Sequence, residues 1–255
     1  MPIHRIHRIH RASRILPALA LLLSGMLRIT VDAQIPGGQT GFNPALLQLF
    51  GNHKAFTTKV ELRMTDAAGK DVVKTPMGMA LLDRRVRVEV NINQITSSTL
   101  DAEGLNMFKR AGMDQVVSIL RPDDSRTMVI FPTAKVYAEE PMTESDASGF
   151  SEAHKVEASD IGKESFDGHP CVKRRVTVTS SSGKKVQGTI WNATDLKDFP
   201  VKIQLPEGSS MVEMTFKDVK LQRPDVSLFQ PTAGFTRYES MEKLIQDRVF
   251  KAFAK

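Results

Sequence analysis

GKESFDGHPCVKRRVTVTSSSGKKVQGTIWNATDLKDFPVKIQL, residues 162–205, holds three runs of alternating character separated by turn-forming clusters. Val172, Val176 and Val178 recur with period two while Lys173, Arg175 and Thr177 take the other side, the pattern of a strand with one covered and one wetted face. Arg174 interrupts the apolar row. Residues 180–183, Ser-Ser-Ser-Gly, favour a turn, because Gly reaches positive φ without strain and Ser hydroxyls satisfy nearby amides. The return strand carries Ile190 and Trp191, residues 192–200 form a longer connection, and Val201, Ile203 and Leu205 alternate with Lys202 and Gln204. Turns this short join antiparallel neighbours.

Outward from this stretch the alternation continues. Thr58, Val60, Leu62 and Met64 oppose Lys59, Glu61 and Arg63, with a turn at residues 66–69. Met77, Met79 and Leu81 follow Pro76, which predicts an edge or a strand start because proline cannot donate to a ladder. Val86, Val88, Val90 and Ile92 oppose Arg85, Arg87 and Glu89, and strand geometry sets this row and Thr58 to Met64 on one face. Residues 116–120 and 127–131 form a hairpin about Pro-Asp-Asp-Ser, 135–138 add a strand, and Val212, Met214 and Phe216 begin another, extended by Val219 and Leu221. Helical spacing appears over residues 98–112, ending at Gly112, and over 239–254, where Met241, Leu244, Ile245, Val249 and Phe253 make a stripe that omits Phe250. Asn43-Pro44 starts a short apolar helix that ends at Gly51-Asn52. Residues 139–160, acidic and aperiodic, read as an exposed connector with a short helix.

Residues 1–33 combine Ile-His-Arg three times, an apolar run at 15–27 and Val-Asp-Ala before Gln34, the pattern of a cleaved secretory signal peptide. The run falls short of the roughly 20 residues a membrane span needs. Its neighbourhood lacks the cysteine that bacterial lipid attachment requires, since Cys171 stands alone in the chain. The expected product is soluble, periplasmic and not lipidated: one domain over residues 34–255, with 34–42 a Gly-rich tether. Removing Arg5, Arg8, Arg11, Arg14, Arg28 and Asp32 from the 35 basic and 29 acidic residues leaves 30 against 28, net +2, too little to suggest nucleic acid.

Reactive constellations are missing from the sequence. His53, His154, His169 and Cys171 have no metal-ligand spacing, no phosphate loop or nucleophile elbow occurs, and a single cysteine is most often a small buried hydrophobe. An enzyme, a metal and a cofactor are therefore not expected. The 12 methionines point elsewhere: flexible, polarizable side chains in or beside strands suit a cavity for acyl chains as well as they suit a core.

The series G-K-E-x-F-x-G-H-P-C (162–171), T-I-W-x-A-x-D-L (189–196) and F-P-V-K (199–202), with R-P-D-D-S-R (121–126), M-V-I-F-P (128–132), K-V-Y (135–137) and S-L-F-x-P-x-A-G-F (227–235), resembles a bacterial family of unknown function related to the LolA and LolB lipoprotein carriers. The resemblance implies an α+β fold, a strongly curved antiparallel sheet or half-barrel wrapped around a few helices, with an apolar concave face for lipid or lipoprotein acyl chains. It implies periplasmic binding and transfer, with transient contact to envelope membranes. Candidate lining residues are Val60, Leu62, Met77, Met79, Val88, Val90, Met128, Ile130, Trp191 and Met214; Trp191 suits an anchor of the sheet better than a lining residue. Asp83-Arg84-Arg85, nearest to a basic-residue–Pro step of the carriers, lacks the Pro and reads as a solvated hairpin turn. The alternative is a non-transporting envelope protein that uses the same sheet to bind or sense a partner.

Overall fold

Alternation in the sequence becomes a single extended sheet. In a computed structural model the described residues are 44–97, 102–142, 147, 150, 153–181, 183 and 185–253. The leader, the tether, residues 98–101 before the middle helix and most of the acidic stretch 143–152 lie outside them. The strands are β1 (Ala55–Thr65), β2 (Asp71–Leu82), β3 (Arg85–Asn91), β4 (Thr96–Ser97), β5 (Gln115–Arg121), β6 (Arg126–Phe131) and β7 (Val136–Pro141). They continue as β8 (His154–Phe166), β9 (His169–Ser180), β10 (Lys185–Ala193), β11 (Phe199–Glu207), β12 (Ser210–Lys220) and β13 (Thr236–Tyr238). Helices α1 (Ala102–Arg110) and α2 (Met241–Phe253), a 3-10 helix, Pro44–Phe50, and a short 3-10 turn, Val226–Phe229, pack against the sheet.

The order across the sheet is β13-β7-β6-β5-β3-β2-β1-β12-β11-β10-β9-β8, with β4 added to β2, and β8 and β13 remain unpaired to one another. The result is an open half-barrel. Every described pairing is antiparallel except β13 on β7. β1 joins two antiparallel runs by pairing with β12, so that Val60 faces Phe216 and Leu62 faces Met214.

Side-chain alternation divides the core. On the concave side Phe56, Val60, Leu62, Leu81, Val86, Val88, Val176, Ile190, Ile203 and Phe216 gather around Leu46, Leu49 and Phe50 of the 3-10 helix. Phe50 lies 4.9 Å from Phe56, 5.6 Å from Phe199 and 5.4 Å from Phe216, ring centre to ring centre, in tilted and edge-on arrangements favoured by aromatic quadrupoles. A second concave cluster lies under α1 and α2, with Phe108, Phe131, Val136 and Leu244 at its centre. The third cluster is convex: Ala80, Leu82, Val117, Ile119, Met128 and Ile130 are covered by Phe229.

Several expectations need correction. Of the residues 139–160 read as connector, 139–141 extend β7 and 154–160 belong to β8, which is exposed along almost its whole length, so as an edge strand wetted on both faces it carries no apolar period. Pro76 stands inside β2 rather than at an edge. On that flank β3 pairs only from Met77 onward and β4 only to Val73 and Lys74, so the missing donor falls in the gap between them. Arg174 is accounted for by an ion pair, its Nε lying 2.8 Å from Asp160 on β8. Phe253 leaves the expected stripe of α2 and is exposed, as is Phe250, whereas Leu244 and Ala252 are buried.

Gly188 marks the tightest approach in the sheet. A Cβ there would meet Leu205 Cδ2 at 2.5 Å and the Gln204 carbonyl oxygen at 2.7 Å, and the second contact is backbone that cannot rotate away. Gly188→Ala should destabilise by roughly 1–3 kcal/mol, a few degrees in melting temperature for a chain of this size. A thermal melt equal to that of the parent protein would contradict this.

Candidate functional site

The concave wall is built from transverse rows of paired residues. One row runs Phe216–Val60–Met77–Val90–Val116 across β12, β1, β2, β3 and β5. Its neighbours are Thr58–Met79–Val88–Ser118 and Met214–Leu62–Thr75. The registers therefore bring Val60, Leu62, Met77, Met79, Val88, Val90 and Met214 onto one face. Val60, Leu62, Val88 and Met214 are buried, while Met77, Met79 and Val90 are half-buried, as are Met64 and Val73 beside them. Apolar side chains left partly open on a concave wall are the feature that sequence alone could only suggest.

Three candidates stand elsewhere. Met128 and Ile130 are buried in the convex cluster beneath Phe229. Their strand and β5 are covered on both faces, and with both faces apolar, period two cannot say which side is concave. Trp191 pairs with Lys173 on one side and Lys202 on the other, and so takes the face opposite Ile190. Its indole N–H donates to Glu164, and the ammonium groups of Lys173 and Lys202 lie 4.7 and 4.9 Å from its ring centre. Lys202 also lies 4.9 Å from the Phe166 ring and 2.8 Å from Glu213. Burial pushes the Glu213 carboxyl up, but hydrogen bonds from Lys202 and Gln204 outweigh it and hold the group below the usual carboxylate range. Trp191 is thus an anchor of the polar face.

Around Cys171 the described side chains form no thiol–base pair. Cys171 is buried, and desolvation pushes its thiol up. The thiol donates to the His169 carbonyl at 3.4 Å, while the His169 ring lies 2.8 Å from Asp195. Among the described residues no three His, Cys, Asp or Glu side chains converge as a metal site would require. Arg84 sits in the β2–β3 turn as expected, yet its guanidinium donates to the Phe150 carbonyl, and Phe150 and Ala147 pack against the concave core. A concavity of about 520 Å³ lined by Glu103, Asn106, Lys109 and Arg110 opens along α1, away from the methionine rows.

No family model matches the chain, and no curated protein does. Solved structures do. The lipoprotein LppX of Mycobacterium tuberculosis is similar at 14% identity and a TM-score of 0.38, over 71% of this chain and 94% of that one. A LolA superfamily protein of Nitrosomonas europaea, NE2245, is similar at 9% identity and a TM-score of 0.34, over 82% and 97%. This chain is similar to LolA-superfamily structures. PNGF-II is also similar, at 12% identity and a TM-score of 0.33, over 78% of this chain but 33% of that one. Values this low transfer no residue role, and the functional reading rests on this chain's own side chains.

Proposed function

We propose that the protein is exported by a leader cleaved before Gln34 and holds a hydrophobic ligand, a lipid or the acyl chain of a lipoprotein, on its concave face in the periplasm. The observation that carries this reading is the half-buried group Met64, Val73, Met77, Met79 and Val90, flanked by buried rows of the same face. Methionine suits such a wall because its unbranched thioether repacks around ligands of differing shape. The proposal is non-enzymatic and requires no cofactor. Among the described residues no helix is long and apolar enough to cross a membrane.

Organic extraction of protein purified from the envelope, followed by mass spectrometry, tests the idea. Lipid at near-stoichiometric yield is the expected result. Protein that is free of lipid and also fails to bind the apolar probe 1-N-phenylnaphthylamine overturns it. The second reading, a non-transporting envelope interaction protein, is favoured by β8, whose outer edge pairs with no described strand and which exposes Val156 and Ile161. Lipid-free protein recovered with a stable partner would select that reading.

A further inference from the structure

Two buried threonines on the concave wall differ in one respect. Thr58 donates to the Lys217 carbonyl at 2.8 Å and also lies 3.1 Å from the Lys59 carbonyl, so its hydroxyl is satisfied within the sheet. Thr75 is fully buried, and among the described residues its hydroxyl oxygen has no hydrogen-bond partner. It stands in register with Leu62, between Val73 and Met77 on the same face of β2. A buried hydroxyl without a partner is unfavourable, and valine has the same shape without that penalty. If packing alone governed the position, an apolar residue would serve better. Thr127 of β6, the other concave threonine whose hydroxyl has no partner among the described residues, is in register with Leu120 of β5, outside the rows that contain the half-buried methionines.

We infer that the Thr75 hydroxyl is the polar anchor for the carbonyl or carboxylate oxygen of an acyl ligand. This rests on the concave face being the ligand site, and it narrows the ligand class from any hydrophobe to one with an oxygen acceptor at the end of its chain. The hydroxyl donates to that oxygen, and the hydrocarbon tail runs along β2 over Met77 and Met79. The four steps from Thr75 to Met79 span about 13 Å at a rise of ~3.3 Å each, the scale of a medium-length acyl chain. Thr75 is closed off in this structure, so the ligand reaches it by displacing flexible neighbours, of which Met77 is the most readily moved.

The experiment measures laurate, methyl laurate and 1-N-phenylnaphthylamine binding to the parent protein and to Thr75→Val, Thr75→Ser and Thr58→Val. For Thr75→Val the expected result is about 5- to 10-fold weaker binding of laurate and methyl laurate, the scale of one hydrogen bond, with probe affinity unchanged. Its ligand-free melting temperature should rise, showing that the variant folds. Thr75→Ser keeps the hydroxyl and should keep both acyl affinities, and Thr58→Val should not discriminate between acyl ligands and probe. Unchanged laurate and methyl laurate affinities in Thr75→Val, with probe binding intact, overturn the anchor and leave the concave site standing. A parent protein that binds neither laurate nor probe overturns both.

Discussion

Val88→Asp is expected to cost roughly 3–5 kcal/mol, because it places an unpaired carboxylate in the concave core, and that is a large share of a typical domain's whole stability. Val88 is 5% exposed and in register with Met79 and Ser118. The comparison that tests the facing assignment is Arg87→Asp, one residue along and on the other face. Arg87 is less free than a solvent-facing residue would be. Its Nη1 donates to the Leu228 carbonyl at 2.7 Å, its Nε lies 2.6 Å from Glu89, and its side chain is only 15% exposed. Its replacement strands a carbonyl and sets two carboxylates side by side, at about 1–3 kcal/mol. Urea unfolding should therefore rank Val88→Asp well below Arg87→Asp, with both below the parent; equal midpoints would refute the assignment of faces.

Truncation after Tyr238 should have an effect of similar size. It removes α2, whose Leu244 is fully buried and whose Met241, Ile245 and Val249 pack against Phe131, Val136 and Ala138. It also removes the Tyr238–Asp247 hydrogen bond and the one from Arg248 Nε to the Ala111 carbonyl at 2.9 Å. Loss of this cover should expose apolar sheet, lower the melting temperature by 10 °C or more at roughly 2–4 °C per kcal/mol, and raise binding of a hydrophobic dye. Phe250 and Phe253 look away from the sheet, 75% and 60% exposed, so Phe250→Ser should stay within about 0.5 kcal/mol of the parent. A truncated protein that melts like the full chain but loses flotation with liposomes would show that α2 serves a membrane instead.

The legibility of this chain follows from how many faces of each element are covered. β1 and β3 have one buried and one wetter face, and their residues 58–64 and 86–90 alternate accordingly in the sequence. β8 has two wet faces and so resembles a loop; β5 and β6 have two covered faces and so conceal which side is concave. That ambiguity misplaced Met128 and Ile130, while Trp191 kept two readings in the sequence, wall and anchor, because residue type does not show the two lysines that cover it. Arg87 was hidden by a different cause. Its partner is a backbone carbonyl at Leu228, 141 residues away, and backbone acceptors leave no trace in residue type. Thr75 could have been noticed as a threonine in an apolar row, but only the structure separates it from the satisfied Thr58.

The seam between β1 and β12 also sets the order in which the chain can become a protein. The Thr58 hydroxyl finds its acceptor 159 residues away at Lys217. The run from β1 to β7 can assemble through neighbouring hairpins, and so can the run from β8 to β12, but each is then left with β1 or β12 as a bare, apolar edge. Closing so long a loop is entropically costly and slow compared with forming a hairpin, which makes the seam a late event in folding. Until residues 210–220 have been synthesised, β1 has no partner on that flank, and a chain shortened before them would keep an adhesive edge in the middle of its own sheet.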